Sequence, residues 1–245
     1  MNKLNFIKRL YQKFVRDLLG DQIFIQPGHG EYLKMIEHFK IVLPENSVLV
    51  EVGSLDGRDS IQLSQYFNCK VHSFEPNPIQ ISKVRANISA ADLDNWITLY
   101  PCAVSSKSGT VKFIYSGEKN PGASSLYEFS SEPSVSDHTA AHERILMEVE
   151  CVRLDEWMSS NSIKRIDLLF MDCQGSELEV IKSLGARLSD VNCILLEGQL
   201  TVLYEGTPTI WEIDDYLCSN GFKLISNNLR KIPGLKFNNF YYKKI

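Results

Sequence analysis

The chain has 245 residues, of which 44% are hydrophobic and 23% are charged. These proportions are typical of a folded globular domain and exclude collagen-like, low-complexity and wholly disordered chains. The net charge of -4 provides no basic field that could neutralise phosphates, so we expect a small-molecule ligand and no nucleic-acid partner.

Two features bear on the cellular compartment. The six cysteines are far apart in the sequence and form no CxxC pair, which is typical of reduced thiols. No apolar run approaches the roughly 18 residues of a membrane span, and the N-terminus lacks the apolar core and cleavage site of a signal peptide. We therefore expect a cytoplasmic protein.

Residues 1–20 predict an amphipathic helix, since apolar side chains recur at helical spacing and the polar positions hold five basic residues against one acid. Such a helix can make weak contact with an anionic membrane surface, or it can pack on the main domain with its lysines in water. A second helix is predicted at 32–40. We define residues 1–45 as an N-terminal helical extension.

From residue 46 to residue 245, short β-rich runs alternate with helical segments. This alternation is typical of an α/β fold, a doubly wound parallel sheet with helices on both faces. The last two strands are expected to form a hairpin. Strands are predicted at 48–52, 70–74, 97–104, 111–115, 147–152, 166–171, 191–197, 222–225 and 240–243, and helices at 59–67, 78–90, 155–160, 177–184 and 210–219.

One segment departs from this rhythm. Residues 117–144 are rich in Ser, Glu, Gly, Pro and His and poor in aliphatic side chains. A loop of this length inside a compact domain is usually functional, which favours a lid or substrate loop. A surface insertion without a role is the alternative, because loops tolerate insertions at small entropic cost.

The clearest motif is EVGSLDG at 51–57, which follows a buried strand and precedes a helix. Gly53 and Gly57 allow the backbone to approach a ligand closely. Their spacing differs from the GxGxxG pattern of dinucleotide-binding folds. The carboxylate of Glu51 would repel a pyrophosphate but could accept hydrogen bonds from an ammonium group.

A second motif, SFEPNP at 73–78, places Glu75 at the end of the second strand, 24 residues after Glu51. An acid in this position can accept hydrogen bonds from both hydroxyls of a ribose. The alternative is that Glu75 only caps the following helix.

These residues resemble the FkbM-type family of class I S-adenosylmethionine-dependent methyltransferases over about residues 48–225. Beyond the two motifs above, the resemblance rests on four further stretches in order. They are LYPCAVS at 99–105, GASSL at 122–126, VRLD at 152–155 and IDLLFMDCQGSELE at 166–179.

The resemblance implies a Rossmann-like, seven-stranded sheet with a reversed last strand, and S-adenosylmethionine as cofactor. By position, Glu51, Gly53 and Gly57 would line the methionine end of the cofactor, Glu75 its ribose, and residues 102–104 its adenine. The full set of cofactor-binding residues implied is Glu51, Gly53, Ser54, Asp56, Gly57, Glu75, Pro76, Cys102, Ala103, Val104 and Asp172.

The sequence departs from the family at one position of the last motif. The family block usually reads D-x-E-G-x-E, whereas this chain has Gln174 in place of the middle acid. The loss of that acid weakens any metal or general-base role for the block. Asp172 remains the best site acid, because it lies at the carboxyl end of a strand, where ligands bind in open α/β sheets.

Methyl transfer to a hydroxyl group requires a base and alignment of the nucleophile. The candidate catalytic residues are Asp172, Glu197 and His142. His138 and His142 are spaced i, i+4 and could form a base or a metal site, but solvated loop residues would look the same, and we expect no metal. The YEGTP run at 204–208 could line the substrate mouth or form a plain turn.

We therefore predict an S-adenosylmethionine-dependent O-methyltransferase. Its acceptor would be a hydroxyl group of a sugar, a glycan or a natural-product small molecule, since family membership does not identify the acceptor. Two alternatives stay open. One is a nicotinamide-dependent oxidoreductase on a related fold, and the other is a non-catalytic protein that kept the cofactor pocket.

Overall fold

The computed structural model describes residues 32–131, 143–225 and 236–245. The helix predicted at 1–20 lies outside these residues, as do His138 and His142. Within them, no helix is long and apolar enough to cross a bilayer. The described α-helices are α1 (Tyr32–His38), α2 (Arg58–Phe67), α3 (Pro78–Ala90), α4 (Leu154–Ser160), α5 (Glu177–Ser183) and α6 (Ile210–Ser219).

Seven strands form the main sheet, in the order β3-β2-β1-β7-β8-β10-β9. Neighbouring strands are parallel except β10, which runs antiparallel to both β8 and β9. The predicted α/β sheet with a reversed last strand is therefore confirmed. The strands of the main sheet are β1 (Val48–Val52), β2 (Lys70–Phe74), β3 (Ile97–Tyr100), β7 (Ile166–Met171), β8 (Val191–Gln199), β9 (Phe222–Leu224) and β10 (Phe237–Lys244).

The single strand predicted at 97–104 is wrong. Pro101 has no N–H group for a sheet ladder, and the N–H of Cys102 turns back to the carbonyl of Tyr100 at 2.9 Å. The chain then enters a second, three-stranded sheet in the order β4-β6-β5. Its strands are β4 (Ala103–Val104), β5 (Gly109–Tyr115) and β6 (Ile145–Val152).

The main sheet is covered on both faces. Val50 and Val52 of β1 belong to a core that includes side chains of α4, α5 and α6. Leu49 of the same strand belongs to a second core that includes side chains of α1, α2 and α3. Helix α1, which we assigned to the N-terminal extension, thus contributes Ile36 to the core of the sheet domain.

Local signals explain why two helices begin where the sequence predicts. Before α3, the Asn77 side chain accepts a hydrogen bond from the N–H of Ile79 at 3.0 Å, and Pro78 occupies the first helical position. Before α6, Thr209 and Glu212 form a reciprocal capping box.

One buried carboxylate connects the starts of three neighbouring strands. Asp167 in β7 is 1% exposed. It accepts hydrogen bonds from the N–H of Val48 in β1 at 2.9 Å, from Asn192 in β8 at 3.0 Å and from Arg165 at 3.0 Å. These bonds fix the relative positions of β1, β7 and β8 at the edge opposite to their carboxyl ends.

Replacement of Asp167 by Ala should lower the free energy of unfolding by about 3 kcal/mol, because it leaves the Val48 N–H and the Asn192 amide without their acceptor. The matched control is Asp190→Ala, which removes a half-exposed ion pair with Arg187 and should cost about 0–1 kcal/mol. Urea unfolding of both variants checks this. Equal losses in the free energy of unfolding would contradict the proposed contribution of the Asp167 hydrogen bonds to stability.

Candidate active site

The carboxyl ends of β1, β2 and β7 border a partly open cavity. The second sheet and residues 121–126 close its other side. The predicted site residues that line it are Gly53, Glu75, Pro76, Cys102, Ala103, Val104 and Asp172.

Gly53 lies where the ends of β1 and β7 approach each other. Its φ of +92° is one that other residues rarely adopt, and a Cβ here would lie 2.0 Å from the carbonyl oxygen of Asp172. Any other residue would push these two strand ends apart. A glycine is therefore required for the geometry of this edge of the cavity.

Glu75 forms a preorganised acceptor at the cavity wall. Its two carboxylate oxygens accept hydrogen bonds from the N–H of Leu55 at 2.7 Å and of Asn77 at 2.8 Å. Burial raises the pKa of this carboxyl to about 7. Each oxygen has a second lone pair, so the group can also accept hydrogen bonds from a ligand diol.

Glu51 is not among the residues that line the cavity. It is 1% exposed and accepts hydrogen bonds from the hydroxyls of Ser60 in α2 and, at 3.1 Å, of Ser73 in β2. Burial, together with the neighbouring Asp59, raises its pKa to about 8. Its predicted contact with a ligand amine stays a prediction.

Three more predicted residues of the first glycine motif, Ser54, Asp56 and Gly57, also lie outside the cavity lining, whereas Val52 and Leu55 of this motif belong to it. The Ser54 hydroxyl contacts the Ser73 hydroxyl at 2.5 Å. Asp56 forms an ion pair with Arg58 at 3.2 Å. A Cβ on Gly57 would lie 2.9 Å from Val84 of α3, so this glycine allows α3 to pack closely. These residues shape the loop after β1.

The remaining walls are mostly apolar. Cys102, Val104, Phe113 and Leu126 line the cavity on the side of the second sheet. The Ser176 hydroxyl, which also lines it, is 2% exposed and has no hydrogen-bond partner in the described structure. A ligand with a flat apolar part, a polar group beside Ser176 and a diol near Glu75 would fit this surface.

Two acids and an amide form a cluster at the β7 and β8 ends. The Gln174 Nε2 atom donates to Asp172 Oδ1 at 2.5 Å and to Glu197 Oε2 at 3.1 Å. Asp172 lines the cavity, whereas Glu197 is 9% exposed and does not line it. The structure thus joins two of the three predicted catalytic residues through a side chain that the sequence identified only as a lost acid.

Tyr204 completes this cluster from the loop after β8. It is 3% exposed, its hydroxyl donates to Gln174 Oε1 at 2.6 Å, and its ring stacks on Phe129 at 5.1 Å. The YEGTP run drew attention to this loop, but nothing in the sequence pairs it with Gln174.

The segment predicted as a lid or substrate loop contributes directly to the site in its first part. Five of the residues 121–126, all except Ala123, line the cavity, and Ser125 pairs with Ile114 of β5. The Ser125 hydroxyl also donates to the carbonyl of Gln174 at 2.6 Å. Among the described residues, no group of three or more His, Cys, Asp or Glu side chains could hold a metal ion.

Comparisons with known proteins agree with this geometry. The model of the methyltransferase FkbM domain matches residues 51–224. The chain is 28% identical to the 2-O-methyltransferase NoeI of Sinorhizobium fredii over 195 residues, which are 76% of each protein. It is 28% identical to the hexuronic acid methyltransferase AglP of Haloferax volcanii over 186 residues, 75% of this chain and 64% of that protein.

A solved structure supports the fold. An rRNA methylase from Streptococcus thermophilus superposes with a TM-score of 0.50 at 12% identity, over 91% of this chain and 99% of that chain. The FkbM match spans the cavity and both site acids, and it decides against the oxidoreductase alternative. This chain belongs to the FkbM methyltransferase family and uses S-adenosylmethionine as its methyl donor.

Proposed function

We propose that this protein transfers the methyl group of S-adenosylmethionine to a hydroxyl oxygen of a sugar, a glycan or a natural-product small molecule, with Asp172 as the general base. The observation that carries this proposal is the position of Asp172, which lines the cofactor cavity at the carboxyl end of β7. The names of two curated relatives, a 2-O-methyltransferase and a hexuronic acid methyltransferase, support a sugar hydroxyl as acceptor.

The residues of the cavity fit the cofactor. Glu75 would accept hydrogen bonds from the ribose hydroxyls, and the apolar wall around Cys102, Ala103 and Val104 would hold the adenine. The unpartnered Ser176 hydroxyl offers a further hydrogen bond to the same ligand. When bound, S-adenosylmethionine supplies a methyl carbon that is activated by a positively charged sulfur.

In the proposed reaction, the bound cofactor would supply its methyl group to the acceptor oxygen, and the electron pair of the carbon–sulfur bond would stay on its sulfur. Asp172 receives the hydroxyl proton of the acceptor. The protein therefore aligns the two reactants and removes one proton. Glu197 is the alternative base, and His142 lies outside the described residues.

We propose that residues 1–45 form an N-terminal helical extension, that residues 46–245 form the methyltransferase domain, and that residues 117–144 within it are a lid or substrate loop. The residues of 121–126 that lie in the cavity wall are evidence for this assignment of the loop.

We also propose that residues 1–20 make weak contact with a membrane surface. Equal liposome flotation of the intact chain and of a chain lacking residues 1–20 would contradict it.

The cofactor site can be tested through the pH dependence of binding. A carboxyl with a pKa of about 7 is roughly 10% ionised at pH 6 and roughly 90% at pH 8. Since ribose hydroxyls bind the ionised form of Glu75 better, the affinity for S-adenosylmethionine should fall about tenfold from pH 8 to pH 6 through this group. Calorimetric titration at both pH values measures it.

The Glu75→Gln variant should lose this tenfold component, while any pH dependence that remains belongs to other groups. Glu148→Gln is the control, because Glu148 is exposed on β6 and does not line the cavity. Binding of S-adenosylhomocysteine and of NAD to both variants is measured in the same way. Binding of NAD, or an unchanged pH dependence in Glu75→Gln, would contradict the proposed ribose site.

The catalytic proposal is tested by Asp172→Asn, which keeps the shape of the side chain but removes the base. The expected loss in kcat is about 100-fold or more. The measurement is transfer of labelled methyl groups to a panel of neutral, acidic and aminated sugars. Asp190→Asn, at a partly exposed position outside the cavity lining, is the control. Full activity of Asp172→Asn with loss of activity in Glu197→Gln would move the role of base to Glu197.

A further inference from the structure

We propose that Gln174 is a positioning residue whose amide, oriented by Tyr204, holds Asp172 and Glu197 side by side as two ionised carboxylates. This inference rests on the proposed function, because it concerns the readiness of Asp172 to accept a proton. The inference adds Gln174 and Tyr204 to the residues that serve this function, although neither takes part in the transfer of the methyl group itself.

The first support is the direction of the amide. Gln174 has two N–H bonds on Nε2, and this nitrogen lies 2.5 Å from Asp172 Oδ1 and 3.1 Å from Glu197 Oε2. Both donors of the amide are thus used on carboxylate oxygens. Hydrogen bonds to an ionised acceptor are stronger than neutral ones and favour the charged form of the acid.

The second support is the group on the other side of the amide. Tyr204 donates its hydroxyl to Gln174 Oε1 at 2.6 Å, whereas its distance to the carbonyl oxygen of Ala123 is longer, 3.2 Å. Burial, with Glu197, Asp172 and Glu177 nearby, raises the pKa of Tyr204 well above its usual range. Tyr204 therefore keeps its proton and remains a donor, which opposes a flip of the amide.

The third support is the backbone. Gln174 has a φ of +51° and the following Gly175 a φ of +100°. Both residues of this tight turn therefore have a left-handed backbone conformation. The Ser125 hydroxyl binds the Gln174 carbonyl at 2.6 Å. A Cβ on Gly175 would lie 3.0 Å from Thr207 Cγ2, so the turn also packs closely against the loop of Tyr204.

A glutamate at position 174 would have nearly the same shape without the two N–H donors. It would bring a third carboxylate to the pair, and one proton would then bind among the three acids at neutral pH. Titratable groups beside Asp172 include Cys173 and Glu177, which lies at the start of α5 and whose pKa is raised to about 7 by burial and then by Asp172. On the neighbouring strand β10, Asn239 lies opposite Glu197 in the strand register.

The test compares Gln174→Glu with Gln65→Glu in the full chain. Gln65 is exposed in α2, so this control has the same change in charge without the acid pair. Thermal unfolding is followed from pH 5.5 to pH 8.5. A proton that is bound more tightly in the folded state stabilises the fold at low pH, and this stabilisation is lost as pH rises through the folded pKa. The Tm of Gln174→Glu should therefore drop further below the Tm of wild type as pH rises.

We expect the gap in Tm between Gln174→Glu and wild type to widen by about 3 °C or more over this interval. The gap for Gln65→Glu should stay nearly constant. Parallel curves for Gln174→Glu and wild type would overturn the proposal. Because this readout requires no turnover, it is independent of whether Asp172 is the base.

A second variant addresses the role of Tyr204 without adding a charge. In wild type, the Gln174 side-chain NH₂ signals in ¹⁵N NMR spectra, identified by their loss in Gln174→Glu, should exchange slowly with solvent. In Tyr204→Phe they should exchange at least about tenfold faster, because the oxygen of the amide has lost its donor. Unchanged exchange would remove Tyr204 from the proposal.

With an acceptor from the sugar panel, the same variants give a kinetic readout. Gln174→Glu should move the rising limb of the kcat profile up by about one pH unit and leave the KM for S-adenosylmethionine nearly unchanged. A uniform loss of kcat with an unshifted profile would indicate a merely structural role and contradict the proposal. Full activity of Asp172→Asn would instead contradict the proposed function alone.

Discussion

The close approach of the carboxyl ends of β1 and β7 is the constraint on which the site depends. With a φ of +92° and no side chain, Gly53 lets the loop after β1 lie against the carbonyl of Asp172. This contact places Asp172 beside the cavity that Glu75 borders from β2. The Asp167 bonds at the opposite edge hold the same strands in register, so the two ends of β1 and β7 are fixed together.

The second sheet turns this open edge into a cavity. Pro101 interrupts the strand after Tyr100, and the chain continues into β4 with a different set of partners. The apolar wall and residues 121–126 are built on this sheet. Residues 121–126 of the segment that is poor in aliphatic residues are therefore held in place, because Ser125 is attached to β5 and to the Gln174 turn.

Electrostatics decide how two acids can share one side of the site. Two ionised carboxylates repel each other strongly unless donors or cations lie between them. The Gln174 amide supplies two donors to this pair, and the Tyr204 hydroxyl faces the amide oxygen. The sequence shows Gln174 as the loss of an acid, whereas the structure shows it as a link between the acids on either side of it.

Much of this architecture was predictable from the sequence. Hydrophobic runs and turn residues located most strands and helices of the main sheet, since buried strands and capped helices are specified by nearby residues. The positions of Gly53, Glu75 and Asp172 at strand ends followed from the same pattern. The sequence could not show the break at Pro101 as a change of sheet, the burial of Glu51 behind Ser60 and Ser73, or the meeting of Tyr204 with Gln174. These depend on contacts between residues far apart in the chain, whose geometry only the packed tertiary structure determines.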